Sequence, residues 1–165
     1  MTPVPRPTLW ISVAGVLAVA AYAALAAVQI LVLNPLAAAP GDLSLDEVRA
    51  AISNAGESLM PTTVLGILGA GVCLAVGTAV VCLLTRAHPI VPAMTFVALL
   101  MGGAPAYFVA SFGPGMGLAD TFGISGADAS PWALPLSAVS ALSAIGVLVG
   151  AALTAGRRGP APAAA

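Results

Sequence analysis

The chain has 165 residues, of which 60% are hydrophobic and only 7% charged, at a mean hydropathy of +1.08. Soluble domains carry about a quarter charged residues, so this composition calls for a solvent other than water. Five arginines, no lysine and six acids give a formal net charge of −1. No basic patch can therefore track a phosphate backbone, and nucleic acid is excluded as a partner.

The charges leave four long charge-free stretches, Pro7 to Gly41, Ser58 to Thr85, Ala87 to Ala119 and Ala129 to Gly156. Each exceeds the roughly 20 residues needed to cross a hydrocarbon core of about 30 Å. The first predicts a helix over 8–33, ended by Asn34-Pro35. That run is too long for the h-region of a signal peptide, about 7 to 15 residues, and is read as uncleaved.

Ser44 followed by Glu47 forms a capping box, and Leu43 with Val48 a hydrophobic staple. They predict a short amphipathic helix in the first loop, with Leu45, Val48 and Ile52 on one face and Gly56 ending it at C′. Such a helix would lie on the membrane surface or over the mouth of the bundle.

A second long helix is expected over 61–85, with Pro61 in its first turn. Arg86-Ala87-His88-Pro89 turns the chain back into a third over 91–112. Within it, Gly102, Gly103 and Pro105 predict a kink near Met101, because Pro105 lacks an amide donor and its ring clashes one turn back. The glycine-rich stretch 113–130 reads as a second loop. Its candidate binding residues are Phe112, Met116, Asp120, Phe122 and Trp132, since aromatic side chains favour the membrane interface and glycines permit a tight backbone. A fourth helix is expected over 131–155, then a disordered tail over 157–165.

The chain is thus expected to be all-α, a single domain over 1–156 built as a four-transmembrane-helix bundle. Arg6, Arg86, Arg157 and Arg158 fall on one side of it and only Arg49 on the other. The positive-inside rule then places both termini and the Arg86 turn in the cytoplasm and the acidic loops outside.

Chemistry-bearing residues are sparse. No Asp, Glu, Lys, Arg or His lies inside any expected span, which argues against proton relays, ion paths and charged-substrate carriers. His88, alone at a turn, has no second ligand for haem or metal. Ser125, in Gly123-Ile124-Ser125-Gly126, has no base on its side of the membrane. Cys73 and Cys82 fall on opposite faces of one helix and cannot pair within it. No catalytic residue, cofactor or metal site is therefore expected. The partners expected are the lipid bilayer and either a second copy or a larger membrane complex. The candidate contact residues are small, because helices in lipid associate by close packing: Gly146 and Gly150 as G-x-x-x-G with Ser143 on the same face, and Gly66 with Ala70.

The stretch Gly103-Ala104-Pro105-Ala106-Tyr107-Phe108-Val109-Ala110-Ser111-Phe112-Gly113-Pro114-Gly115-Met116, in this four-span setting, resembles the small four-helix integral membrane proteins of actinobacteria. The resemblance implies a plasma-membrane location and brings no active residues with it. A non-catalytic accessory subunit or self-associating scaffold is the function expected; a carrier for an uncharged hydrophobic molecule or lipid is the alternative.

Overall fold

A computed structural model describes residues 6–157, without the side chains of 155–157. Among the described residues it is all-α, with no strand. Four helices are long and apolar enough to cross a membrane: α1 (Arg6–Ala38), α3 (Pro61–Leu84), α4 (Ile90–Phe122) and α5, apolar over Ala133–Thr154 and helical over Ala133–Arg157. A ten-residue helix, α2 (Leu45–Asn54), joins the first two. The tail expected over 157–165 lies, from residue 158 on, outside the described residues.

Helix α1 packs chiefly on α3 and on the first half of α4, which in turn packs on α5. One core cluster joins Ala26, Ile30, Val64, Leu68, Tyr107, Ala110 and Leu136. A second, around Val19, Ala75 and Phe96, fills the half of the bundle that carries Arg6 and Arg86. Many large apolar side chains point outward instead, among them Leu17, Leu74, Leu84, Phe108, Leu142 and Leu148.

Helix α1 corrects the expected stop at Asn34-Pro35. The chain runs from Arg6–Val28 through a π-helical turn, Gln29–Leu33, into Asn34–Ala38. Pro35 has no amide to donate and would crowd the carbonyl four residues back. The wider turn, in which the Asn34 amide donates to the Gln29 carbonyl, makes room for the ring, and the helix gains a further turn.

The larger correction concerns 113–130. Helix α4 breaks at Gly102, between Ile90–Met101 and Gly103–Phe122, and ends ten residues beyond the expected 112. Gly113 to Gly117 are helical because their missing side chains admit other backbone and side chains at close range. A Cβ built at Gly113 would lie 2.8 Å from Met60 Sδ, at Gly115 3.0 Å from the Gly126 carbonyl, and at Gly117 3.3 Å from the Ser58 carbonyl. The glycines that suggest a loop are a packing face. Gly123, at φ +65°, ends the helix in the left-handed conformation that glycine adopts without strain.

Helix α2 begins with the reciprocal capping box: the Glu47 amide donates to Ser44 Oγ, and the Ser44 amide to Glu47 Oε2 at 2.8 Å. These bonds to Ser44 hold the exposed Glu47 carboxyl below its ordinary range. At the other end Gly56 takes φ +80°, its amide donates to Ser53 and that of Glu57 to Ile52, which is a Schellman motif. Val48 and Ile52 are buried against Leu59 and Leu118, with Leu31 and Phe122 beside them, so α2 lies across the end of the bundle.

Candidate functional site: clasps at the helix interruptions

The break at Gly102 is held by a side chain from α5. In an unbroken helix the Ala104 amide would donate to the Leu100 carbonyl. Here Ser140 Oγ stands between them: it accepts from the Ala104 amide at 2.9 Å and donates to the Leu100 carbonyl at 2.9 Å. A hydroxyl inserted into the helical ladder opens one turn without leaving either backbone group unpaired. Tyr22 of α1 brings its hydroxyl to 3.3 Å from the same oxygen, and its ring occupies the space a side chain at Gly103 would need, 2.6 Å from an ideal Cβ. Three helices therefore meet at one serine.

A second clasp gathers at the opposite interruption. Asn34, following the π-turn, accepts through Oδ1 from the Ala129 amide at 2.7 Å and the Ser130 amide at 3.3 Å. Gln29, fully buried within that turn, donates through Nε2 to the Ser130 carbonyl at 3.4 Å, and its Oε1 has no partner. Tyr107 donates to Asp128 Oδ1 at 2.7 Å. The loop before α5 is thus tied to α1 and α4. Sequence reasoning takes Asn34 only as a helix stop. The proximity of 34 to 129 and 130 is set by the fold, and no local pattern signals it.

The predicted site residues separate into groups. Gly146 and Gly150 face α4: a Cβ there would approach Val97 at 3.3 Å and Met94 Cε at 2.5 Å, and Ser143 beside them is buried. Gly66 and Ala70 are exposed, with nothing within 4 Å of a Cβ at Gly66. Exposed Cys73 and Gly77 continue that face of α3, also with open space at Gly77, while Cys82 is buried. Gly102, Gly103 and Pro105 lie at the break.

The expected loop set of Phe112, Met116, Asp120, Phe122 and Trp132 does not form one site. Phe112, Met116 and Asp120 are exposed at helical spacing on α4. Phe122 packs beside the cluster under α2, and exposed Trp132 precedes α5.

Beside the break at Gly102 lies an apolar cavity of about 300 Å³, bounded by Val19, Tyr22, Leu68, Gly71, Leu99 and Gly103. At the Arg6 end, Thr8 Oγ1 donates to the Ala87 carbonyl at 3.0 Å, fixing the turn that carries Arg86 and His88 to the first turn of α1. The Ile90 amide in turn donates to His88 Nδ1. Among the described residues no three His, Cys, Asp or Glu lie close enough to hold a metal ion.

Fold and site together define an all-α protein with four helices of membrane-crossing length and polar clasps at two helix interruptions. No known protein family matches the chain, and neither a curated protein nor a solved structure matches it.

Proposed function

We propose that the chain is a non-catalytic integral membrane protein, an accessory subunit or self-associating scaffold whose contact face is on α3. The observation that carries this is the outward row Gly66, Ala70, Cys73 and Gly77, spaced at four, three and four residues and open at both glycines. The other small-residue pair, Gly146 and Gly150, is occupied by α4. In lipid, where apolar surface gains nothing by leaving solvent, such a row lets a second helix approach closely.

The membrane placement draws support from the outward apolar side chains and from the two tryptophans. Trp10 and Trp132 are both largely exposed. Trp10 is 24 residues of helix from Asn34, about 36 Å at 1.5 Å per residue, and Asn34 bonds the loop just before Trp132. That separation matches two interfacial belts. In this reading the protein resides in the plasma membrane, with the Arg6 and Arg86 end in the cytoplasm.

Cys73 tests the contact directly, because it sits within the row. Oxidative cross-linking in native membranes is expected to give a Cys73-dependent dimer, or a Cys73 adduct with one other subunit. Gly66→Leu should abolish it and Cys82→Ser leave it intact. A protein that remains monomeric, uncross-linked and without a co-purifying partner would overturn the reading.

A second reading, a carrier for an uncharged hydrophobic molecule, is supported by the 300 Å³ apolar cavity beside Gly103. Filling it with Gly71→Leu should abolish transport by a carrier and leave a scaffold's assembly unchanged.

A further inference from the structure

Between α2 and the Glu57 to Pro61 linker lies a pocket of about 350 Å³, at the end of the bundle opposite Arg6. Its floor is apolar: Leu31 from the π-turn of α1, and the buried Ile52 and Leu59. Its rim is polar, with Arg49 and Ser53 on α2 facing Glu57 and Ser58 on the linker. The linker is held by Gly117, whose missing side chain admits the Ser58 carbonyl and the Glu57 carboxylate. A cavity of this size falls at the low end of ligand pockets and accommodates a headgroup rather than a whole lipid.

The charges restrict the occupant. Among the described residues Arg49 is the only cation at this end, and its ion pair with Asp46, 3.7 Å long and three residues apart on an exposed face, is of the kind worth little. Its guanidinium is thus available to a phosphate. Asp42, Asp46, Glu47 and Glu57 share the end with it, which disfavours a headgroup that is anionic only. Glu57, Ser53 and Ser58 together offer acceptors to a primary ammonium.

Given the membrane placement proposed above, on which this rests, we infer that the pocket binds the headgroup of a zwitterionic phospholipid bearing a primary amine. Its phosphate lies on Arg49, its ammonium on Glu57, and its acyl chains leave over Leu31 and Pro61.

The test is lipid retention by the full chain, reconstituted in bilayers holding equal parts of phosphatidylethanolamine, phosphatidylcholine and phosphatidylglycerol and read by native mass spectrometry. Wild type is expected to retain phosphatidylethanolamine over phosphatidylglycerol by about fivefold, the scale of one exposed ion pair. Glu57→Gln should remove the preference, Arg49→Gln should lower retention of all three, and Asp46→Asn should change neither. Retention in proportion to the mixture, or a preference that survives Glu57→Gln, would overturn the site while leaving the membrane reading intact. Failure to enter the bilayer would overturn both.

Discussion

Ser140 shows how much one hydroxyl carries in a chain so poor in polar groups. It is buried, and it satisfies an amide and a carbonyl that have no partner in each other. Removing it leaves both unpaired. Hydrogen bonds between helices in lipid average about 0.6 kcal/mol and reach about 1.7, and since two backbone groups depend on this serine, Ser140→Ala should cost roughly 1–2 kcal/mol. Unfolding by denaturing detergent in mixed micelles measures it. Tyr22→Phe should cost less, because the 3.3 Å contact is a third bond to an oxygen already engaged twice; an equal cost would show that the tyrosine, not the serine, holds the break.

Two elements differ in what sustains them. Helix α2 depends on its cap, so its first turn should respond to pH. The Glu47 carboxyl is held below its ordinary value, so the stabilisation is complete above the unfolded carboxylate pKa and is lost as pH falls through the lowered folded one. Protection factors at the first amides of α2, with the intrinsic pH dependence of exchange divided out, should therefore fall on acidification below the ordinary carboxylate range. In Glu47→Gln the same amides should show no pH step there. Helix α5 depends on close packing instead. Gly150→Leu would have to displace the Met94 thioether that fills the space between α4 and α5, and should cost about 1–3 kcal/mol by overpacking. Gly66→Leu, with open space on α3, should leave the thermal midpoint of the monomer nearly unchanged. If both behaved alike, the two glycine faces would not have the different roles assigned to them.

For the whole molecule, the prediction is orientation. Both termini, Arg86 and His88 should face the cytoplasm, with Asp46 and Asp120 outside, since the order of the spans in the sequence assigns four of the five arginines to one side. Single cysteines at 46, 88, 120 and 158, in a background lacking Cys73 and Cys82, decide it. An impermeant thiol reagent on intact cells should modify positions 46 and 120 and spare 88 and 158. The reverse pattern would overturn the orientation and place the phospholipid pocket on the cytoplasmic leaflet.

The sequence by itself determined the four long apolar helices and the start of α2. Both are matters of local physics: a charge-free run of more than about 20 residues satisfies its backbone only within itself when water is absent, and a Ser44–Glu47 box closes within one turn. Tertiary structure alone decided whether Pro35 stops α1, whether Gly113 to Gly117 turn or pack, and which of the two small-residue faces remains open. Those outcomes depend on groups far away in the chain. Gly115 meets the Gly126 carbonyl and Gly103 meets Tyr22, Asn34 meets Ala129, and Ser140 completes a turn begun forty residues earlier. A glycine carries no mark of what will approach it, so its role is settled only when the helices are in place.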